Sequence, residues 1–146
     1  LEDKYCGTCK WNDKIHTQGA PCPWCEYGFT KWEPKGSLRV YVAGAYSSDN
    51  VIGVLNNMRE GMRWATKVFL AGHAPFCPWL DYHYTLMLRE GENLTVPDYY
   101  AYSMAWLRVA DVVFVTPGWE ASHGTKKEIE EAERLGIRVV YRMEDI

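Results

Sequence analysis

The sequence predicts an α/β fold: a doubly wound parallel sheet, Rossmann-like or flavodoxin-like, preceded by a small zinc ribbon. Three observations predict it. Residues 112–115, Val-Val-Phe-Val, form a short apolar run without alternation, as in a strand buried on both faces. A helical repeat follows, with Ile129, Ala132 and Leu135 about one turn apart, and residues 137–141 resume as a strand. Two Cys-x-x-Cys pairs, Cys6/Cys9 and Cys22/Cys25, stand apart from this pattern at the amino end. The domain reading is therefore a ribbon and linker over residues 1–36 and an α/β domain over residues 37–146.

In the ribbon, twelve residues separate the two cysteine pairs. Each pair can put two thiolates on one ion, and two pairs complete a tetrahedron. Cys6, Cys9, Cys22 and Cys25 are thus expected to bind Zn2+. A shell of four thiolates leaves no open position, so the metal is expected to be structural. Lys4, Lys10, Lys14, Lys31 and Lys35 balance Glu2, Asp3, Asp13, Glu26 and Glu33, which leaves no basic footprint for nucleic acid. Trp11, Trp24, Tyr27 and Trp32 could stack on single-stranded bases, but are expected instead to pack the ribbon's small core or dock it on the main domain. Residues 33–36, Glu-Pro-Lys-Gly, read as the linker.

The α/β domain opens with a strand at residues 38–43. A turn at residues 44–50 follows, with Gly44, Tyr46, Ser47 and Ser48, and leads into a helix carrying Val51, Leu55, Met58, Met62 and Ala65 on one face. A glycine turn entering a helix N-terminus can hold an anion, and the same residues also make ordinary caps. The Gly-x-Gly-x-x-Gly dinucleotide spacing is absent. Residues 67–71 read as the second strand, followed by a shaped loop over residues 72–84. Phe76, Trp79 and Tyr82 in that loop offer a wall for a flat ligand, and Asp81 a polar contact. His73, His83 and Cys77 read as structural. Pro97 opens a third helix over residues 98–108, which leads to Asp111. At the start of a strand, Asp111 is at the wrong end for a ligand.

The loop 116–124 ends the late strand, because Pro117 and Gly118 break it. In open parallel sheets ligands bind at the carboxyl ends of the strands, which puts this loop and the helix after it at the site. Glu128 reads as lying in the first helical turn. There the helix N-terminus should keep a carboxylate ionised, which suits a nucleophile.

Ala-Asp before an apolar strand, then Ser122-x-Gly124-x-x-x-Glu128, Ala132 and Gly136, resembles the nucleoside 2-deoxyribosyltransferase superfamily. It is most similar to the 2′-deoxynucleoside 5′-phosphate N-hydrolase branch and its small relatives. Residues 38–44 resemble the family's first strand and glycine turn, and residues 106–111 the approach to its late strand. The resemblance implies cleavage or transfer at the N-glycosidic bond of a nucleoside or nucleoside 5′-monophosphate. It also implies Glu128 as nucleophile, Asp81 or Asp98 in proton handling, and a homo-oligomer. The sugar or phosphate would be oriented by Ser122, the Gly124 amide and the Ser47/Ser48 turn. Where that branch has an acid eight positions before the strand's Asp, this chain has Ser103. Two other readings compete. Thr116-Pro117-Gly118 with Gly124-Thr125-Lys126-Lys127-Glu128 resembles a stretched Pro-Gly-Gly-x-Gly-Thr-x-x-Glu motif of nucleoside 5′-monophosphate phosphoribohydrolases. A non-catalytic nucleotide sensor, with the ribbon as its interaction arm, is the other.

Composition bounds these readings. A hydrophobic fraction of 47% with 24% charged residues is that of a globular chain. The net charge of −3 argues against duplex nucleic acid as a partner. With no stretch apolar enough for a membrane span and no visible signal peptide, a cytoplasmic protein is expected.

Overall fold

The structure, a computed structural model, describes residues 36–146. The cysteine pairs expected to bind zinc, Cys6/Cys9 and Cys22/Cys25, lie outside the described residues. Four strands, β1 (Arg39–Ala43), β2 (Ala74–Phe76), β3 (Val112–Val115) and β4 (Arg138–Val140), form one parallel sheet in the order β2-β1-β3-β4. Four helices, α1 (Val51–Leu70), α2 (Tyr82–Met87), α3 (Val96–Leu107) and α4 (His123–Arg134), connect them. Short 3-10 turns occupy Pro78–Asp81, Trp119–Ala121 and Met143–Asp145.

Alternation along β1 and β3 decides which helix covers which face. Val40, Val42, Val112 and Phe114 point to one face and meet Met58, Ala65 and Val68 of α1. Tyr41, Ala43, Val113 and Val115 point to the other and meet Leu107 of α3 with Ile129 and Ala132 of α4. All eight strand residues are buried, which is why both strands read as continuous apolar runs. The sheet is covered on both faces, as a doubly wound fold requires. The chain steps from β1 out to β2, then crosses back to β3 on the other side of β1. The topological switch point therefore falls between the carboxyl ends of β1 and β3.

The second strand is not where the sequence pattern put it. Residues 67–71 belong to the end of α1 and its C-cap, and β2 is Ala74–Phe76. The run Val68-Phe69-Leu70 is apolar enough for a strand, but only Val68 faces the core, while Phe69 and Leu70 are exposed. The helix repeat simply continues through it, with Met58, Gly61, Ala65 and Val68 along the buried stripe. The chain then turns at Gly72, whose φ of 89° is the left-handed conformation that stops a helix. The third helix begins at Val96, two residues earlier than its expected start. Thr95 and Asp98 form a reciprocal capping box there.

Trp79 anchors this half of the domain. It is 2% exposed, and a Cβ on Gly61 would run into its indole ring, while one on Gly44 would overlap the Thr116 hydroxyl and press on that ring. Gly61 sits inside a helix, where Ala normally stabilises by close to 1 kcal/mol. Here the added methyl has no room, so Gly61→Ala should instead destabilise by about 1–3 kcal/mol. A urea midpoint that rises in this variant would mean the ring can move aside.

At the far end of the sheet, the Asp111 carboxylate accepts from the Arg39 amide (2.7 Å) and from both the Nε (3.0 Å) and an Nη (2.6 Å) of its guanidinium. These bonds pull the Asp111 carboxyl down to about 2. Asp111 ties the starts of β1 and β3 together. His73 and His83 likewise meet backbone groups, the Leu38 amide and the Leu80 carbonyl. Cys77 is buried, which pushes its thiol up to about 11 and keeps it protonated.

Leu38–Ile146 form one compact unit. Among the described residues no helix is long and apolar enough to cross a membrane.

Candidate active site

A cavity of about 750 Å³ opens at the switch point. Residues from the β1–α1 turn, from the segment Pro78–Tyr82 and from the Ala121–Glu128 stretch line it, so the three loops after β1, β2 and β3 share one site. Of the residues predicted from sequence, it brings together Gly44, Tyr46, Ser47, Ser48, Trp79, Asp81, Tyr82, Ser122, Gly124 and Glu128. It does not include Phe76 or Asp98.

Phe76 belongs to β2 and faces away into an aromatic cluster. It stacks on Tyr41 and on Trp106, each with ring centroids 5.4 Å apart. Asp98 is the N3 residue of α3. Its carboxylate accepts from the Thr95 amide (2.8 Å) and hydroxyl (2.6 Å), and these bonds lower its proton affinity. A residue held in a capping box is not available to handle a proton in the cavity. Trp79 lines the cavity only by an edge. Its ring is core, and its indole N–H donates to the Ala45 carbonyl at 3.1 Å, which fixes the β1–α1 turn. Asn57 holds the same turn from α1 by donating to the carbonyls of Tyr46 (3.2 Å) and Ser47 (3.0 Å).

Glu128 lies in the second turn of α4, not the first. The helix begins at His123, and Ser122 is its N-cap, accepting from the Thr125 amide at 3.2 Å. The field of the helix end falls off within its first turn, so the expected depression of the Glu128 proton affinity does not occur. Burial dominates instead and raises its carboxyl from the ordinary 4.5 to about 7, partly offset by a hydrogen bond from Tyr41. That hydroxyl donates to Glu128 Oε1 at 2.6 Å. Tyr41 is fully buried, and burial first, then Glu128, raises its own proton affinity well above that of an ordinary phenol. Glu128 is therefore oriented through one oxygen by a neutral donor.

Asp81 is the cavity's second carboxylate. Only 8% exposed, it is raised by burial from 3.8 to about 6. The Tyr46 hydroxyl is pushed up to about 12, by burial first and then by Asp81.

The sequence reading missed one wall. Val96, Tyr99, Tyr100 and Ser103 of α3 line the cavity, with Thr85 of α2. Their spacing of three, four and seven is a helix face, and that was the available signal. Gly124 allows the close approach of this wall, since a Cβ there would overlap the Tyr100 hydroxyl. Tyr41 was also missed. Its signal was a phenol in a strand of small aliphatic residues, where a buried hydroxyl must find a partner. Among the described residues, no group of three or more His, Cys, Asp or Glu side chains is arranged to hold a metal ion.

Residues 38–141 match the family model described as Domain of unknown function (DUF4406). No curated protein matches the chain. Among solved structures it is similar to a 2-deoxyribosyltransferase from the psychrotolerant bacterium Bacillus psychrosaccharolyticus, at 17% identity and a TM-score of 0.48, with 69% of each chain covered.

Proposed function

For this chain, which belongs to the DUF4406 family, we propose cleavage or transfer at the N-glycosidic bond of a nucleoside or nucleoside 5′-monophosphate, with Glu128 as nucleophile. One observation carries the reading: a half-buried carboxylate, held at Oε1 by the Tyr41 hydroxyl, borders an aromatic-lined cavity at the switch point of a parallel sheet. The resemblance of the Ser122-x-Gly124-x-x-x-Glu128 stretch to nucleoside-processing enzymes supports the same chemistry.

In this mechanism the free oxygen of Glu128 attacks the anomeric carbon as the C–N bond breaks, and its electron pair leaves with the base. Asp81 orients the base or supplies its proton. Water then releases the sugar in a hydrolase; a second base does so in a transferase. Tyr46, Tyr82, Tyr99 and Tyr100 supply rings for the base, and the Ser47/Ser48 turn with Ser122 and Gly124 at the start of α4 orients the sugar or its phosphate. The test is incubation of the full chain with a panel of nucleosides and monophosphates, with and without a second base, followed by chromatography of the free base. Release of base from at least one member is expected. Binding without release identifies a sensor instead.

Cys6, Cys9, Cys22 and Cys25 are proposed to hold one structural zinc ion. Metal analysis of the purified full chain should give about one zinc per chain, as four thiolates on one ion require. Cys6→Ser should lose it. Full zinc retention in both Cys22→Ser and Cys25→Ser would rule the site out.

A further inference from the structure

The charge of the cavity narrows its ligand. Asp81 and Glu128 bring two carboxyl groups to the lining, and the described lining residues include no Lys or Arg. Although Asp81 stands at the N-cap of α2, its side chain makes no capping hydrogen bond. Glu128 receives one hydrogen bond, from Tyr41, on Oε1. Four tyrosines, Tyr46, Tyr82, Tyr99 and Tyr100, line the same space. The two helix N-termini beside it are already capped by their own side chains, α1 by Asn50 on the Gly53 amide and α4 by Ser122 on the Thr125 amide. They offer an anion less than bare helix ends would.

We infer that this cavity takes a nucleoside whose base carries a positive charge and whose sugar bears no phosphate. The inference rests on the nucleoside chemistry proposed above and names its substrate class. A cation gains from both carboxylates and from the electron-rich faces of the tyrosine rings. A phosphate would bring like charge to the same two groups. The chemistry fits as well. When Glu128 attacks the anomeric carbon of such a substrate, the electron pair of the broken C–N bond neutralises the ring. The base departs uncharged and needs no proton. Water then attacks the glycosyl ester, freeing the sugar, the Glu128 carboxylate and one proton to solvent. No strong general acid is required.

Cation binding needs ionised carboxylates. Burial holds Glu128 at about 7 and Asp81 at about 6, so affinity for a cation should rise as pH climbs through this window. Tyr46 and Tyr100 face the same space and Tyr41 is buried against Glu128; all three have raised proton affinity and stay neutral across it. Tyr82, Tyr99 and His123 are the other titratable groups of the lining. A His123→Gln variant separates any imidazole contribution from that of the carboxylates.

Calorimetric titration of the full chain provides the test, using a cation with no glycosidic bond, 1-methylnicotinamide, beside neutral nicotinamide. At about pH 8 the cation should bind at least ~10-fold more tightly, and near pH 5 the advantage should vanish as the carboxyls protonate. Asp81→Asn should reduce the advantage and His123→Gln should keep it. In turnover, nicotinamide riboside should lose its base with a higher kcat/KM than its 5′-phosphate. Equal affinity for the two probes at the higher pH, or preference for the phosphorylated compound, overturns the inference. The two readings fail separately. Base release from neutral nucleosides without cation preference keeps the proposed function and defeats the inference. Cation preference with no base release from any nucleoside defeats the proposed function and leaves a cavity that binds cations without cleaving them.

Discussion

Glu128→Gln should reduce turnover by about three orders of magnitude or more, as removal of a covalent nucleophile does. Gln keeps the shape of the side chain, and its carbonyl can still accept from the Tyr41 hydroxyl. It loses only the negative oxygen proposed to attack. KM or ligand affinity for a neutral nucleoside should change little, so the loss should fall on kcat. Stability gives an independent check that the variant is folded. In the wild type, folding raises the Glu128 carboxyl from 4.5 to about 7, so the folded chain holds this proton more tightly than the unfolded one. Stability from this group is full below about 4.5, falls as pH rises toward 7, and is flat above, a loss of about 3 kcal/mol. Glu128→Gln lacks that loss and should be at least as stable as wild type near pH 8 by denaturant titration. Neutralising Glu120, Glu130 or Glu131, none of which lines the cavity, should leave turnover near normal. Near-normal turnover in Glu128→Gln itself would end the nucleophile assignment.

What the sequence made legible here, and what it hid, has one physical cause: local pattern reports burial faces well and side-chain environments poorly. The runs at residues 39–43 and 112–115 announced buried parallel strands because both faces are covered. The breakers after them announced the loops, and the loops after β1, β2 and β3 do line one cavity. Asp111 at the start of its strand was correctly read as structural. Where a residue's fate depends on which neighbour comes near, the pattern failed. Phe76 and Trp79 sit close together in sequence and are both aromatic, yet one stacks on Tyr41 and the other packs on Gly61. Nothing local separates them. Asp98 looked like a free acid until Thr95 proved to be its capping partner, although the Thr-x-x-Asp spacing carried that signal. The Glu128 error was one of degree. Reading Glu128 into the first helical turn put the carboxylate nearer the helix end than it is, and so let the dipole win over desolvation. Counted from the true cap, desolvation wins and the sign of the shift reverses.

Tyr41→Phe should move the acid limb of the pH–rate profile upward. In the wild type kcat/KM should rise with pH through about 7, because Glu128 as the proposed nucleophile must be ionised to attack. The Tyr41 hydrogen bond stabilises the ionised form, and it is the cause that holds the carboxyl down against burial. Phenylalanine keeps the ring and its stacking on Phe76, so packing of this sheet face is preserved. Only the donor is lost. With nothing to offset desolvation, the Glu128 carboxyl titrates at a higher pH, and the fraction ready to attack at neutrality shrinks. Turnover at pH 7 should fall by about 10- to 100-fold, consistent with losing one preorganised donor together with the smaller ionised fraction. The part due to ionisation should return as the pH is raised toward about 9, whereas loss of orientation should not. A Tyr41 that merely packed would give a variant with lower stability and an unmoved limb. If the profiles of the two proteins superimpose after scaling, the hydroxyl does not tune Glu128.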